Sequence, residues 1–168
     1  YDCLDWINFI IGKCGAELPI YLAGVSMGAA TVLMASGEEL PENVKVIIAD
    51  CGYTSEWDEF KCEANALHIP WFPVLNAASV MSKLRDGYDF KQASALEKVK
   101  QSRIPTLFIH GSDDELVPYS MLDKLYSAAA CEKECLTVTG AGHALSSSVE
   151  PELYWNAVES FIEKYSEK

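Results

Sequence analysis

Four short apolar runs rich in β-branched residues recur along the chain, and glycine or polar residues follow each of them. The runs cover residues 19–23, 44–49, 106–109 and 136–138. Their nearly continuous hydrophobicity is typical of strands that are buried on both faces of a sheet, which is the situation of parallel strands. The pattern therefore predicts four parallel strands.

Apolar residues repeat at helical spacing in much of the sequence between these runs. The repeats predict helices over residues 1–13, 27–36, 119–130 and 151–165. Strands that alternate with helices form right-handed βαβ units. The sequence therefore predicts an α/β fold with about four parallel strands flanked by helices.

One long segment, residues 54–100, interrupts this alternation where a connection of a few residues would be enough. We expect small helices that form a cap-like insertion above the carboxyl ends of the strands, where α/β proteins bind ligands. Its aromatic residues Trp57, Trp71 and Phe72 are candidates for substrate binding. Packing of the insertion against the sheet explains the same aromatic residues equally well.

Composition and charge narrow the function classes. The 168 residues are 49% hydrophobic and carry a net charge of −12, which suits one domain and disfavours binding to nucleic acid. No apolar run approaches the ~20 residues that span a bilayer, and no signal-peptide pattern is present, so we expect a cytoplasmic protein. Because Tyr1 lies inside a predicted helix, we expect a fragment and leave open an upstream anchor or signal.

Neither the cysteines nor the acidic residues form a recognisable metal motif. The six cysteines make no CxxC pair and have no histidine partners at zinc-finger spacing, so we predict reduced thiols without assigned chemistry. The acidic run at residues 113–115 lacks the alternating ligands of a calcium loop. The sequence therefore predicts neither a metal nor an organic cofactor.

The motif GVSMG at residues 24–28 is the most specific chemical signal. It follows the first predicted strand and opens a predicted helix, which is the context of a nucleophile elbow with Ser26 as the nucleophile. The sharp turn favours small residues two positions before and after the serine, and Gly24 and Gly28 meet that condition. The backbone N–H of Met27 at the helix start can donate to an oxyanion.

A serine nucleophile needs a base, and the sequence offers three histidines. His143 lies on a glycine-rich loop after the last predicted strand, at the same edge of the sheet as Ser26, and is the predicted base. His110 ends the third predicted strand and is better explained as a hydrogen-bonded turn residue. His68 falls in the insertion, where a packing or lid role is expected.

The base in turn needs a carboxylate that orients it and stabilises its cation. Three acids, Asp113, Asp114 and Glu115, follow the third predicted strand. Asp50 at the end of the second strand is a fourth candidate, although bracing the turn after that strand explains it as well. The spacing does not separate these candidates.

Three motifs together resemble the α/β-hydrolase superfamily: GVSMG at residues 24–28, HGSDDELVP at 110–118 and GAGHA at 140–144. The chain is similar in particular to the esterase-like and peptidase-like branch related to prolyl oligopeptidases, and the resemblance covers its whole length. It implies a triad in which Ser26 is partnered by His143 and by the aspartate of an HGxxDxxVP pattern, which is Asp114 here. It implies no cofactor.

The chain departs from a complete α/β-hydrolase in one respect. Such a domain has further strands ahead of the nucleophile strand, whereas this sequence corresponds to the C-terminal half. The loop that donates the second oxyanion N–H therefore falls outside it. We expect the open edge of the first strand, residues 19–23, to pair with the missing N-terminal half or with a second copy.

The expected function is that of a serine hydrolase that cleaves a small acyl substrate, a carboxylic ester or thioester, through an acyl-enzyme intermediate. A serine peptidase or amidase of the prolyl-oligopeptidase type is the alternative within this class. A non-catalytic binding module on the same fold is the alternative from another class.

Overall fold

The computed structural model describes residues 2–166, and its centre is one sheet of four parallel strands. The strands are β1 (Ile20–Val25), β2 (Val44–Asp50), β3 (Thr106–Gly111) and β4 (Lys133–Val138), and they lie in this order across the sheet. This architecture confirms the predicted α/β fold with four parallel strands.

The largest difference between a predicted and an observed strand is at β4. The apolar run begins at residue 136, whereas the strand begins at Lys133. Within residues 2–166, β4 is an edge strand, and exposed and half-buried residues mix along its first half. A half-buried edge strand lacks the continuous apolar run that identifies a strand buried on both faces, so the pattern misses its first residues.

Helices flank the sheet. They are α1 (Asp2–Cys14), α2 (Met27–Ala35), α3 (Glu56–Ala66), α4 (Trp71–Asp86), α5 (Ala95–Val99), α6 (Ser120–Ala128), α7 (Ser146–Val149) and α8 (Pro151–Ser166). The four predicted helices correspond to α1, α2, α6 and α8, although Tyr1 lies outside the described residues. In the described part of the chain, we find no helix that is both long and apolar enough to cross a membrane.

The core consists of one apolar layer on each face of the sheet. On one face, Ile47 of β2 packs in a cluster with Leu33 of α2 and Leu125 of α6. On the other face, Val46 of β2 packs in a cluster with Phe161 of α8. Because neighbouring residues of β2 are buried on opposite faces, the strand is apolar at nearly every position, as the sequence pattern indicates.

The predicted insertion, residues 54–100, contains α3, α4 and α5. The last of these helices belongs to the core, since Ala95 and Val99 are buried in the same cluster as α2. The helical pair α3 and α4 makes up the rest, with α4 packed on α3. Gly87 ends α4 with a φ of 85°, in the left-handed region that favours glycine.

β1 forms the other edge of the sheet within residues 2–166 and pairs with β2 on one side. Tyr21 and Val25 of this strand are exposed, and Trp6 and Phe9 of α1 are exposed as well. The described structure thus presents an apolar strand edge, in the place where the sequence predicts one.

Candidate active site

Ser26 occupies the sharp turn between β1 and α2. Its φ of 54° and ψ of −115° place the backbone in a conformation that is strained for any residue with a side chain. Two hydrogen bonds hold the turn. The Ser26 N–H donates to the Asp50 carbonyl at 2.8 Å, and the Ser26 carbonyl accepts from Ala30 at 3.0 Å. A strand, a strained serine and a helix in this order are the geometry of a nucleophile elbow.

The two glycines of the motif have different roles. A Cβ on Gly24 would lie 2.2 Å from the carbonyl carbon of Gly28, so only glycine fits at position 24. A Cβ on Gly28 would meet nothing within 4 Å among the described residues. The prediction that residue 28 must itself be small is therefore wrong. The backbone of Gly28 makes the close approach, and position 24 is the one that has no room for a side chain.

His143 reaches Ser26 from the loop between β4 and α7. Its Nε2 lies 2.8 Å from Oγ of Ser26, and its Nδ1 lies 2.8 Å from Oδ2 of Asp114. Because an ionised carboxylate only accepts hydrogen bonds, Nδ1 carries the proton and Nε2 is left to accept from the serine hydroxyl. Residues that are far apart in sequence thus form one continuous chain of hydrogen bonds.

Backbone groups hold the buried carboxylate of Asp114 from the other side. Its Oδ1 accepts from the N–H groups of Leu116 at 3.0 Å and of Val117 at 2.9 Å. Burial by itself raises the pKa of Asp114, but hydrogen bonds from His110, His143 and the Val117 backbone outweigh burial, and the pKa is lowered. The carboxylate therefore stays ionised at neutral pH and can balance a positive charge on His143.

His110 contacts Asp114 and lies at the end of β3, where it is completely buried. Its Nε2 lies 2.9 Å from the carbonyl oxygen of Val117 and 3.3 Å from Oδ2 of Asp114. A carbonyl only accepts hydrogen bonds, so Nε2 carries the proton. This geometry agrees with the predicted hydrogen-bonded role. His68 follows α3 and is exposed, within the predicted insertion.

The other acidic candidates point elsewhere. The Asp50 carboxylate is buried and accepts from the Ser146 hydroxyl at 3.4 Å, and burial raises its pKa although hydrogen bonds oppose that change. Asp113 accepts from the neighbouring serine at 2.6 Å, and Glu115 is exposed. Of the four acids considered, Asp114 is the one that the described structure joins to His143 by a hydrogen bond.

Met27 is the first residue of α2 and lies directly after Ser26. The N–H groups in the first turn of a helix have no acceptor within the helix, and they carry the positive end of its dipole. The first turn of α2 contains no acidic residue that would compete for this positive end. The backbone next to Ser26 is therefore suited to receive negative charge.

The three aromatic candidates of the insertion form one cluster. Trp71 lines an apolar groove of about 340 Å³ between α3 and α4, and Trp57 packs against Trp71 with ring centroids 6.4 Å apart. Phe72 also contacts Trp71 but is 65% exposed and is not part of the groove lining. The lining residues of this groove do not include Ser26 or His143.

One neighbour of the site, Cys51, was missed by sequence reasoning. Its Sγ, an oxygen of the Asp114 carboxylate and a ring nitrogen of His143 all lie within 4.8 Å of one another. Burial, and then the charge of Asp50, raises the pKa of the Cys51 thiol to about 12, so the thiol is protonated at neutral pH. The sequence feature that could have identified Cys51 is its position, because Cys51 follows β2 just as Ser26 follows β1.

The fold and the Ser26 turn together define an α/β hydrolase, and similarity to known proteins leads to the same class. Residues 3–168 match the prolyl oligopeptidase family, also described as peptidase S9. The chain belongs to this family.

One sequence relative and two solved structures illustrate what the chain is similar to. The uncharacterized protein YqkD of Bacillus subtilis is 29% identical over 162 residues, which are 96% of this chain and 53% of YqkD. The esterase domain of a Rhodothermus marinus protein has a TM-score of 0.71 at 20% identity, over 98% of this chain and 68% of that domain. The acylaminoacyl peptidase of Pyrococcus horikoshii has a TM-score of 0.69 at 18% identity, over 96% of this chain and 26% of that enzyme.

The two solved structures share the fold of this chain. The chain spans between 32% and 53% of the length of the curated relatives considered, with 53% of YqkD as the highest value. Family membership thus gives the α/β-hydrolase class of the chain, and it does not give a substrate.

Proposed function

We propose that the protein is a serine hydrolase that cleaves a carboxylic ester or thioester with Ser26, His143 and Asp114 as its catalytic triad. The observation that supports this most strongly is the pair of 2.8 Å hydrogen bonds on either side of the His143 ring. Their polarity suits the roles of nucleophile, base and orienting acid.

In the acylation step, Ser26 Oγ attacks the substrate carbonyl carbon while Nε2 of His143 takes the hydroxyl proton. The tetrahedral intermediate collapses when His143 gives this proton to the leaving alcohol or thiol, and an ester on Ser26 remains. Water then attacks that ester while His143 takes a proton from it. His143 returns a proton to Ser26 Oγ, and the carboxylic acid is released. The lowered pKa of Asp114 keeps the negative charge that stabilises protonated His143 in both steps.

The negative oxygen of the tetrahedral intermediate needs hydrogen-bond donors. The backbone N–H of Met27 supplies one in this proposal, because it follows Ser26 and begins α2. Each such donor accounts for about 3 kcal/mol of transition-state stabilisation. We expect the second donor to come from a part of the protein outside this sequence.

Labelling with a fluorophosphonate probe tests the nucleophile directly. The purified full-length protein should become labelled at Ser26, and Ser26→Ala should abolish labelling and lower kcat by several orders of magnitude. Ser120→Ala, at the start of α6, is the matched control and should behave like the wild type. A protein that folds normally but takes up no probe would instead support the non-catalytic binding module.

Peptide or amide hydrolysis is the second candidate, because the chain belongs to the prolyl oligopeptidase family and shares the fold of an acylaminoacyl peptidase. An amide nitrogen leaves only after protonation, which His143 could supply as it does for an alcohol. Parallel assays with p-nitrophenyl acyl esters and aminoacyl anilides distinguish the two. A higher kcat/KM for the anilides would replace the esterase proposal by the peptidase.

We propose that the groove between α3 and α4 receives an apolar acyl group of the substrate, because the groove is lined mainly by apolar side chains. Trp71 lines the groove and Trp57 braces Trp71, whereas the exposed Phe72 is a weaker candidate for substrate contact. Trp71→Ala should lower kcat/KM for long acyl esters more than for acetate esters. The control Phe72→Ala should have a smaller effect. If Trp71→Ala lowers kcat/KM equally for acyl chains of all lengths, the groove does not bind the acyl group.

The exposed edge of β1 supports pairing with another strand, for which we propose the N-terminal half of the full-length protein. Unpaired backbone groups of an apolar edge strand are a template for a further strand. The isolated chain should therefore form oligomers in size-exclusion chromatography with light scattering and hydrolyse esters poorly. A stable, fully active monomer of this chain alone would refute that pairing.

A further inference from the structure

A buried thiol lies beside the proposed base and acid without a part in the proposed reaction. Cys51 Sγ, one carboxylate oxygen of Asp114 and one ring nitrogen of His143 lie within 4.8 Å of one another. Across the described residues 2–166, no second group of three cysteine, histidine or acidic side chains has its ligand atoms as close together.

Two of the three side chains are fixed by the backbone around them. Cys51 has a φ of 46°, and its N–H donates to the carbonyl of Ile109 at 2.8 Å. Asp114 is held through Oδ1 by two backbone N–H groups, and its Oδ2 faces the site, where it accepts from His143 Nδ1 at 2.8 Å and lies 3.3 Å from His110 Nε2. His143 lies on a loop, and its side chain is 21% exposed, so a small solute can approach the cluster from this side.

A thiolate, an imidazole and a carboxylate are the ligand types that bind Zn²⁺ in proteins. Zinc bonds of about 2.0–2.3 Å in a tetrahedron place ligand atoms roughly 3.3–3.8 Å apart, so ligand atoms that lie within 4.8 Å of one another have to approach by at most about 1.5 Å. The soft sulfur selects Zn²⁺ or a similar borderline cation over Mg²⁺ and Ca²⁺, which prefer oxygen. Three protein ligands leave a fourth position for water or the serine oxygen.

We propose that Cys51, Asp114 and His143 form an inhibitory site for Zn²⁺ or a chemically similar divalent cation. On binding, the Cys51 S–H bond breaks, the sulfur–metal bond forms, and the proton passes to solvent. One nitrogen of the neutral His143 ring then holds the metal and the other carries the ring proton, which stays on Nδ1 if Nε2 binds and moves to Nε2 if Nδ1 binds. Neither nitrogen has a lone pair left for the Ser26 hydroxyl, whichever of the two binds the metal, so hydrolysis stops until the metal is removed.

The inhibition rests on the proposed hydrolase function, whereas metal binding does not, so the two are measured separately. Co²⁺ replaces Zn²⁺ in tetrahedral sites, and a bound thiolate gives it a charge-transfer absorption band. Titration of the metal-free, full-length protein with Co²⁺ should produce that band with one equivalent per chain, and Zn²⁺ should abolish it. Cys51→Ser should lack the band, while the matched control Cys62→Ser should retain it.

Ester hydrolysis supplies the second measurement. Zn²⁺ should inhibit the wild type and a chelator should restore its rate. Cys51→Ser, measured relative to its own rate without metal, should need at least about tenfold more Zn²⁺ for half inhibition, because the soft ligand is lost. Cys51→Ala is the second variant if the serine variant does not fold.

Two results would overturn the site: absence of the thiolate band in the wild type, or equal Zn²⁺ sensitivity of wild type and Cys51→Ser. A protein that shows the Co²⁺ band but hydrolyses no ester would retain the metal site and lose both the inhibitory role and the esterase function. The failure of the metal site and the failure of the hydrolase function are therefore distinguishable.

Discussion

Replacing Glu59 by glutamine removes a buried negative charge from α3. Glu59 is 7% exposed, and its Oε2 is buried and has no hydrogen-bond partner within residues 2–166. Burial, followed by the charges of Glu63 and Asp114, raises the pKa of Glu59 from 4.5 to about 7. Glutamine has nearly the same shape without the charge, so we expect Glu59→Gln to stabilise the fold above neutral pH.

The pKa of Glu59 sets both the size and the pH range of this effect. A pKa that rises from 4.5 to about 7 lowers the free energy of unfolding by at most about 3 kcal/mol once the group is ionised. This figure uses ~1.4 kcal/mol for a tenfold change in proton affinity. Below pH 4.5 both the folded and the unfolded chain hold the proton, and stability is unaffected. Between pH 4.5 and about 7 only the folded chain keeps it, so the free energy of unfolding falls as the pH rises.

Thermal unfolding of the two proteins at several pH values measures this effect. At pH 8 the Tm of Glu59→Gln should exceed that of the wild type by several degrees, at roughly 2–4 °C per kcal/mol, and at pH 4 the two should nearly coincide. Glu159→Gln, at an exposed position of α8, is the matched control and should change Tm little. A Glu59→Gln protein that is no more stable than the wild type at pH 8 would refute the buried-charge argument.

Three further predictions concern the proposed active site. Gly24→Ala should strongly lower Tm and fluorophosphonate labelling, because its methyl group would overlap the Gly28 backbone. Gly28→Ala should be neutral or should stabilise the fold by up to ~1 kcal/mol. Equal losses in both variants would contradict the close approach. Asp114→Asn should lower kcat by on the order of 10³–10⁴, far more than Asp50→Asn, and the reverse order would move the acid to β2. Because the proposed base takes up a proton in the reaction, kcat/KM should be lower in acid than at neutral pH, and a flat profile would count against His143.

The strands buried on both faces were predictable from the sequence because burial on both faces requires an apolar residue at nearly every position. Ile47 and Val46 face opposite apolar layers, so β2 is apolar throughout. The sequence of α5 has no pattern that identifies it. Five residues are too few for a helical repeat, and the burial of Ala95 and Val99 depends on contacts with α2 from another part of the chain.

The candidate site was predictable to a different degree for each residue. Ser26 has a local motif, because the close approach within its turn requires glycine at position 24. Asp114 has three acidic alternatives nearby, and only the resemblance to a family singles it out. The proximity of Cys51 to His143, within 4.8 Å, leaves no pattern in the local sequence, because it depends on how the ends of separate strands are placed in the sheet.

The order of the strands explains why a thiol lies at this site. Each parallel strand delivers the residues that follow it to the same edge of the sheet: Ser26 follows β1, Asp114 follows β3 and His143 follows β4. β2 lies between β1 and β3, and Asp50 at its end is paired with Val25 on one side and Ile109 on the other. The next residue, Cys51, therefore lies beside the groups proposed for catalysis whatever its chemical type. A small apolar side chain there would offer no ligand, whereas cysteine adds one that, in the proposed site, recruits the same histidine and aspartate to a metal.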